Sequence, residues 1–255
     1  MFTYRTEREG NGLAYQSVFK RYELKYLLTP QQKERVLAEM APYMAMDQYG
    51  RTTIRNLYFD TDNYRLIRRS IEKPVFKEKL RIRSYQKVTQ YNDVFIELKR
   101  KYESIVYKRR ASMALKDALL WICDGQMKQE KTQITEEIAY FMQYYKSLRP
   151  TVYLSYEREA YYQKNGGDLR ITFDENILAR QEQLSLESDP WGTPLLPDNR
   201  ILMEIKCSGG IPLWMTSFLS REHIYKTSFS KYGTAYLNLI YPKLQEELHH
   251  DRNTV

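Results

Sequence analysis

Polar and apolar residues alternate with period two in eight stretches of the chain, and each stretch predicts a strand with one charged face. From Val18, the run VFKRYELKYLL sets Arg21, Glu23 and Lys25 on one face and Tyr22, Leu24, Tyr26 and Leu28 on the other. TIRNLYFDT follows at 53–61. VFKEKLRIRSY, 75–85, aligns Lys77, Lys79, Arg81 and Arg83 opposite Phe76, Leu80 and Ile82. DVFIELKRK, 93–101, aligns Glu97, Lys99 and Lys101, and ESIVYKRRA, 103–111, aligns Lys108 and Arg110. The remaining strands are TVYLSYEREAY at 151–161, with Arg158 on the face of Tyr156, DLRITFD at 168–174, with Arg170, Thr172 and Asp174 together, and ILMEIKC at 201–207, with Glu204 and Lys206 together.

Helical signals separate some of these strands. Thr29-Pro30 reads as an N-cap followed by a first-turn proline, opening a helix to about Met46. DNYRLIRRSIEK reads as a short helix. Ser112 is the predicted cap of SMALKDALLWICDG, which Gly125 ends. A second amphipathic helix is expected at 132–148, closed by Pro150, then PLWMTSFLSRE and a last helix from about Ser230. Residues 176–200 are a polar excursion. No Gly/Ser linker divides the chain, so one α+β domain is expected at 17–248. Residues 1–16 read as a flexible arm and 249–255 as a disordered tail.

Composition adds a partner class. The net charge is +8 and the pI about 9.2, which points to an anionic partner. The chain has 255 residues, 42% of them hydrophobic, and 23 tyrosines, so it can bury a core and favours pleated surfaces. Cys123 and Cys207 are too few for a disulfide framework. No apolar run approaches the ~20 residues of a membrane span, and MFTYRTEREGNG has no apolar signal-peptide core, so a soluble, cytoplasmic protein is expected.

Any single strand with a charged face reads as a sheet with one side in water. The set reads differently. Summed over the strands, one face gathers Arg21, Lys25, Lys77, Lys79, Arg81, Arg83, Lys99, Lys101, Lys108, Arg110, Arg158, Arg170 and Lys206, against Glu23, Glu97, Asp174 and Glu204. Like charges in a row repel one another, which makes sense where the faces converge on a polyanion inside a closed antiparallel barrel. Glu23-Leu24-Lys25, Glu97-Leu98-Lys99 and Glu204-Ile205-Lys206 repeat one motif. A carboxylate beside a phosphate calls for a bridging cation, so Glu23, Glu97 and Glu204 are candidate ligands of Mg²⁺ or Mn²⁺. Glu–Lys pairing within the site is the rival explanation.

The segments RYELKYLL, NLYFDT, LRIRSY, FIELKRK, YKRRAS, YLSYEREAY, LRITFDENI, MEIKCSGGIP and FSKYGTAY, in that order over about 18–240, resemble the VTC domain. That is the polyphosphate-polymerase branch of the triphosphate tunnel metalloenzymes, which also include the CYTH phosphatases. The resemblance implies a closed eight-stranded β-tunnel with helices outside and at the C-terminus, and a transferase that moves the γ-phosphate of ATP onto polyphosphate. It implies that Lys25, Arg81, Arg83, Lys99, Lys108, Arg158 and Arg170 bind phosphates along the bore, that Ser230 and Lys231 contact phosphate near the helix start, and that Glu204 binds the metal. Of these, Lys25, Arg81, Arg83, Arg158, Arg170 and Lys231 are expected to act on the transferred group, and Lys79, Arg110 and Lys206 of the charged face are expected to hold phosphates with Lys99, Lys108 and Ser230. The phosphatases open with Glu-x-Glu-x-Lys. This chain has Arg21 at the first position, which favours synthesis over hydrolysis. The eukaryotic polymerases add a phosphate-sensing domain and membrane helices, so coupling to export would need a membrane-protein partner. A metal-dependent triphosphatase and a non-catalytic polyphosphate- or nucleic-acid-binding module are the alternatives, nucleic acid being the least expected ligand.

Overall fold

The computed structural model describes residues 18–19, 22–103, 105–128, 130–197 and 199–253. The expected arm at 1–16 and Arg21 lie outside the described residues. The elements in chain order are β1 (Val18–Phe19), β2 (Tyr22–Leu28), α1 (Pro30–Met40), β3 (Met44–Met46), β4 (Thr52–Asp60), α2 (Arg65–Ile71), β5 (Phe76–Ser84), β6 (Asp93–Tyr102), β7 (Ile105–Ala114), α3 (Leu115–Asp124), α4 (Gln133–Tyr145), β8 (Arg149–Gln163), β9 (Arg170–Arg180), β10 (Thr193–Pro194), β11 (Ile201–Cys207), α5 (Leu213–Arg221), β12 (Lys226–Thr227), α6 (Lys231–Ala235), a π-helical turn at Tyr236–Ile240 and α7 (Tyr241–Asn253).

The fold is α+β, but the sheet is neither eight-stranded nor closed. It has twelve antiparallel strands in the order β1-β7-β6-β5-β4-β8-β9-β11-β2-β12, with β10 beside β9 and β3 beside β8. Among the described residues, no ladder joins the β1–β7 end to the β2–β12 end. The sheet is nevertheless strongly rolled. β6 and β2 are six strands apart, about 29 Å in a flat sheet, yet Lys99 Nζ lies 3.0 Å from Glu23 Oε2. Phe19 and Tyr22 sit on strands at opposite ends of the order, and the chain between them reaches at most about 11 Å. Side chains bridge this seam: Lys99 meets Glu23, and Lys79 donates to Ser230 Oγ at 2.9 Å; on the β2 side Lys25 donates to the Phe229 carbonyl at 2.7 Å.

Apolar faces of the sheet are covered by helices. On the outside, Leu57, Leu80, Ile82, Ile96 and Leu98 pack against Trp121 and Ile122 of α3 and Ile138 and Phe141 of α4. Helix α4 is also tied by charge: Arg109 donates to Glu137 at 2.7 Å, and Tyr145 to Glu78 at 2.9 Å. Phe173, Met203 and Ile205 pack against α1 and α5. A third cluster joins Ile54, Tyr58, Leu154 and Tyr156 to Ile67 of α2 and to Tyr232, Tyr236 and Ile240.

Local sequence rules hold where tertiary pairing does not compete. Thr29 and Gln32 form a reciprocal capping box at α1, and Gly125, at φ +71°, takes the left-handed conformation that ends α3. Helix α1 stops at Met40 because Met44–Met46 pair with Tyr161–Gln163 instead. Ser112 caps nothing; it extends β7 opposite Phe95, and α3 starts after Ala114. Pro150 lies inside β8. The helix expected from Ser230 is broken by the π-turn, and α7 runs on to Asn253. No described helix is long and apolar enough to cross a membrane.

Candidate functional site

Ladder register stacks the inward charges in rows. Arg81, Glu97 and Arg110 stand side by side on β5, β6 and β7, and Lys79, Lys99 and Lys108 form the next row. Lys25 and Glu204 are direct partners on β2 and β11, and Lys206 stands opposite Glu23. Period-two alternation therefore turns the charged set onto the concave side of the rolled sheet.

Glu97 anchors one group. Its side chain is 1% exposed and lies 2.7 Å from Arg81 and from Lys108, 3.8 Å from Arg83, and within hydrogen-bonding reach of Arg110. Burial opposes its ionisation, but Arg83, Arg81, Lys108 and Arg110 outweigh burial and hold the carboxyl well below the usual range. Arg81 is fixed further by Tyr58 OH at 2.9 Å, and Arg83 by Asn56 Oδ1 at 2.9 Å and Tyr156 OH at 3.0 Å.

Asp174 and Glu204 anchor the second group. Arg158 grips Asp174 with two bonds of 2.5 and 2.6 Å. Lys231, at the start of α6, reaches Asp174 at 2.5 Å and Glu204 at 3.4 Å. Lys206 lies 3.0 Å and Lys25 3.7 Å from Glu204, and Lys25 is also 3.5 Å from Glu23. Burial alone would neutralise Glu204, yet Lys206, Lys231, Lys25 and Arg158 keep it well below the usual carboxylate range. Lys99 is the largest influence lowering Glu23. Lys79 and Lys108 behave oppositely: burial first, then surrounding cations, pushes each down to about 7, although Glu97 partly offsets this at Lys108.

Fourteen of the fifteen sequence-predicted residues converge on this concave face: Lys25, Lys79, Arg81, Arg83, Lys99, Lys108, Arg110, Arg158, Lys206, Ser230, Lys231, Glu23, Glu97 and Glu204. Arg170 stands at the rim, opposite Lys206 in register, with its side chain 52% exposed and 3.8 Å from Asp47. The three glutamates do not form one ligand set. Glu97 belongs to the Arg81–Arg110 group, whereas Glu23 and Glu204 share Lys25, and among the described residues no three acidic, His or Cys side chains gather at metal-ligating distance. Glu204 fits a hard cation only in combination with phosphate oxygens, the arrangement usual for Mg²⁺. The sequence pattern counts Asp174 among the acids of this face but does not single it out as a site residue, and it passes over Tyr58, Tyr156 and Asn56. Their signal is the same period-two alternation, since Asn56 and Tyr58 share a face in RNLYFD.

Two solved structures share this fold. One is a Bacillus halodurans protein named as an adenylate cyclase, 14% identical, covering 84% of this chain and 96% of its own, with TM-score 0.54. The other is a Hippeastrum protein named as an adenylyl cyclase with dominant triphosphatase activity, 17% identical, covering 83% and 93%, with TM-score 0.52. No curated protein matches the sequence. The VTC domain profile matches residues 20–240, the same span that carries the concave charged face, and the chain belongs to the VTC domain family.

Proposed function

We propose that the domain is a polyphosphate polymerase, transferring the γ-phosphoryl group of ATP to the end of a phosphate or polyphosphate chain lying along the concave face. The observation that carries this reading is the length of the cationic row. Arg83, Arg81, Lys79 and Lys77 run along β5, with Lys99 and Lys101 beside them on β6. The six residue steps from Lys77 to Arg83 span about 20 Å, room for more phosphates than the three of ATP.

In the step itself, a terminal oxygen of the acceptor bonds to Pγ as the Pγ–O bond to the β-phosphate breaks, and ADP leaves. The transition state is loose, with charge on peripheral oxygens, so catalysis rests on positioning and charge neutralisation. Arg81, Arg83 and Arg158 are held by Glu97, Asn56, Tyr58, Tyr156 and Asp174 and offer planar donors already oriented. Lys231 and Lys206 add point charges beside Glu204. Glu204, together with phosphate oxygens, would hold Mg²⁺ or Mn²⁺, which when bound would neutralise further charge on the nucleotide phosphates. Cytoplasmic placement, with a membrane-protein partner for export, belongs to the same proposal.

Hydrolysis with water as acceptor is the second reading, favoured by the triphosphatase activity named for the Hippeastrum protein. Incubation with ATP and Mn²⁺, followed by gel separation and assays for ADP and phosphate, decides. Long chains with matching ADP support the polymerase. Free phosphate without chains refutes it and supports the triphosphatase, and tight polyphosphate binding without turnover leaves a binding module.

A further inference from the structure

The opposite, convex face of β5, β4 and β8 carries a polar cluster that the concave site does not use. Ser84, Arg55 and Ser155 stand side by side in register across the three strands, and Tyr153 lies two residues along β8 on the same face. Arg55 is 8% exposed, Ser84 2%, Ser155 1% and Tyr153 0%. Among the described residues, Arg55 Nε and Ser84 Oγ lack a hydrogen-bond partner, and Ser155 Oγ and Tyr153 OH make no well-formed bond, having only each other and Arg180 within reach. The bond that Arg55 does make there is a long one, Nη1 to the Thr53 carbonyl at 3.5 Å.

The charge here is as unbalanced as the hydrogen bonding. Arg180, opposite Tyr153 on β9, stacks 3.5 Å above the Tyr153 ring. Its donors go to the Glu182, Gln183 and Trp191 carbonyls and Ser188 Oγ, which fold residues 181–192 over the cluster. Among the described residues, neither arginine has a carboxylate partner. The acid two positions beyond Ser155, Glu157, is engaged by Arg51. A buried guanidinium without a counter-charge, beside hydroxyls whose bonding is incomplete, is unfavourable unless something supplies negative charge and accepting lone pairs.

We propose that this cluster is a second site, binding one small inorganic anion, chloride or phosphate, through the Arg55 guanidinium and the Ser84, Ser155 and Tyr153 hydroxyls. A guest with only accepting lone pairs would satisfy these donors, and the arginines exclude a metal ion. The site lies on the other side of the sheet from the concave face and does not depend on what that face does.

Crystals grown in bromide, and others in selenate, locate the guest by anomalous scattering and separate a halide from a tetrahedral oxyanion. In solution, melting temperature is followed against chloride and against phosphate, at constant ionic strength in gluconate, with the concave face saturated by tripolyphosphate. The expected result is an anomalous peak bonded to Arg55 and at least one hydroxyl, and a saturable rise in melting temperature. Arg55→Met should reduce that rise at least fivefold while leaving tripolyphosphate affinity within twofold. Ser84→Ala with Ser155→Ala should raise the half-saturating concentration about tenfold. Water alone at the site, or an unchanged response in Arg55→Met, would overturn the proposal. Since Met fills the same space without charge, Arg55→Met is expected to be at least as stable as the wild type in gluconate, so a folding defect does not hide the result.

Discussion

Glu97→Gln separates two roles for a fully buried carboxylate of the concave face. Read as a metal ligand, Glu97 should support metal-dependent binding. Read as the structure places it, it is the counter-ion of Arg81, Lys108, Arg110 and Arg83. Gln keeps the shape, removes the charge and turns an amide N–H₂ toward cations. Breaking a buried pair from one side costs about 3–5 kcal/mol. A domain of this size loses about 2–4 °C per kcal/mol, so the melting temperature without anion should fall by roughly 6–20 °C. The four uncompensated cations should then bind tripolyphosphate more tightly. A tenfold gain in affinity returns about 1.4 kcal/mol of the deficit at saturating ligand. The measurement is thermal unfolding with and without tripolyphosphate, in EDTA, together with calorimetric affinity. A fall of under about 2 °C, or weaker tripolyphosphate binding in the Glu97→Gln variant, would refute the counter-ion role. The pH sign follows from the lowered carboxyl: its contribution is complete above the ordinary Glu value and is lost as pH falls through the folded value. The part of the wild-type advantage that comes from the Glu97 carboxyl should therefore shrink only in acid, while loss of Glu97 should lower Lys108 further and add a change near pH 7.

Lys79 and Lys108, each pushed down to about 7, are largely neutral at pH 8, and a bound phosphate raises both. Tripolyphosphate binding at pH 8 should then take up protons, read by calorimetry in buffers of different ionisation enthalpy, and affinity should fall as pH rises through 7; Lys79→Met should remove about half the uptake. Glu204→Gln is expected to abolish metal-dependent turnover while leaving metal-free phosphate binding within a few-fold, and full activity in that variant would sink the assignment of the metal to Glu204. Tyr232 donates to Asp60 at 2.9 Å, and Asp60 also accepts the Leu66 and Ile67 backbone N–H groups of α2. Tyr232→Phe should therefore cost about 1–3 kcal/mol in urea unfolding, and it should weaken substrate binding more than turnover, because α6 carries Ser230 and Lys231.

What is legible in the sequence is the alternation, and what is not legible is where alternation stops. Lys77 through Arg83 share a face because strands have period two, and no tertiary information is needed to say so. The rows they form with Glu97, Lys99 and Lys108 depend on ladder register, which local pattern does not contain. The helix expected at 30–46 is too long for the same reason: Met44–Met46 are strand only because β8 offers them a partner. Asp174 is visible as an acid on the right face, but its two-bond clasp by Arg158 requires knowing that β8 and β9 pair with a register shift between Ser155 and Glu157. Grouping three Glu-x-Lys repeats into one metal site fails because identical local motifs on β2, β6 and β11 land in different surroundings once the sheet rolls.

Among the described residues, the open seam leaves the ends of the sheet joined by side chains and not by a ladder. The seam is spanned by Lys99 to Glu23 and Lys79 to Ser230, while on its β2 side Lys25 donates to the Phe229 carbonyl. Those bridges occupy the lysines that a polyanion would recruit. An incoming phosphate must therefore compete with them, and each lysine it takes loosens the hold on the segment leading into α6 while Lys231 gains a new anionic partner. On this account anion binding and the position of α6 are coupled through the seam, which a ladder-closed sheet, with its backbone groups already paired, would not allow.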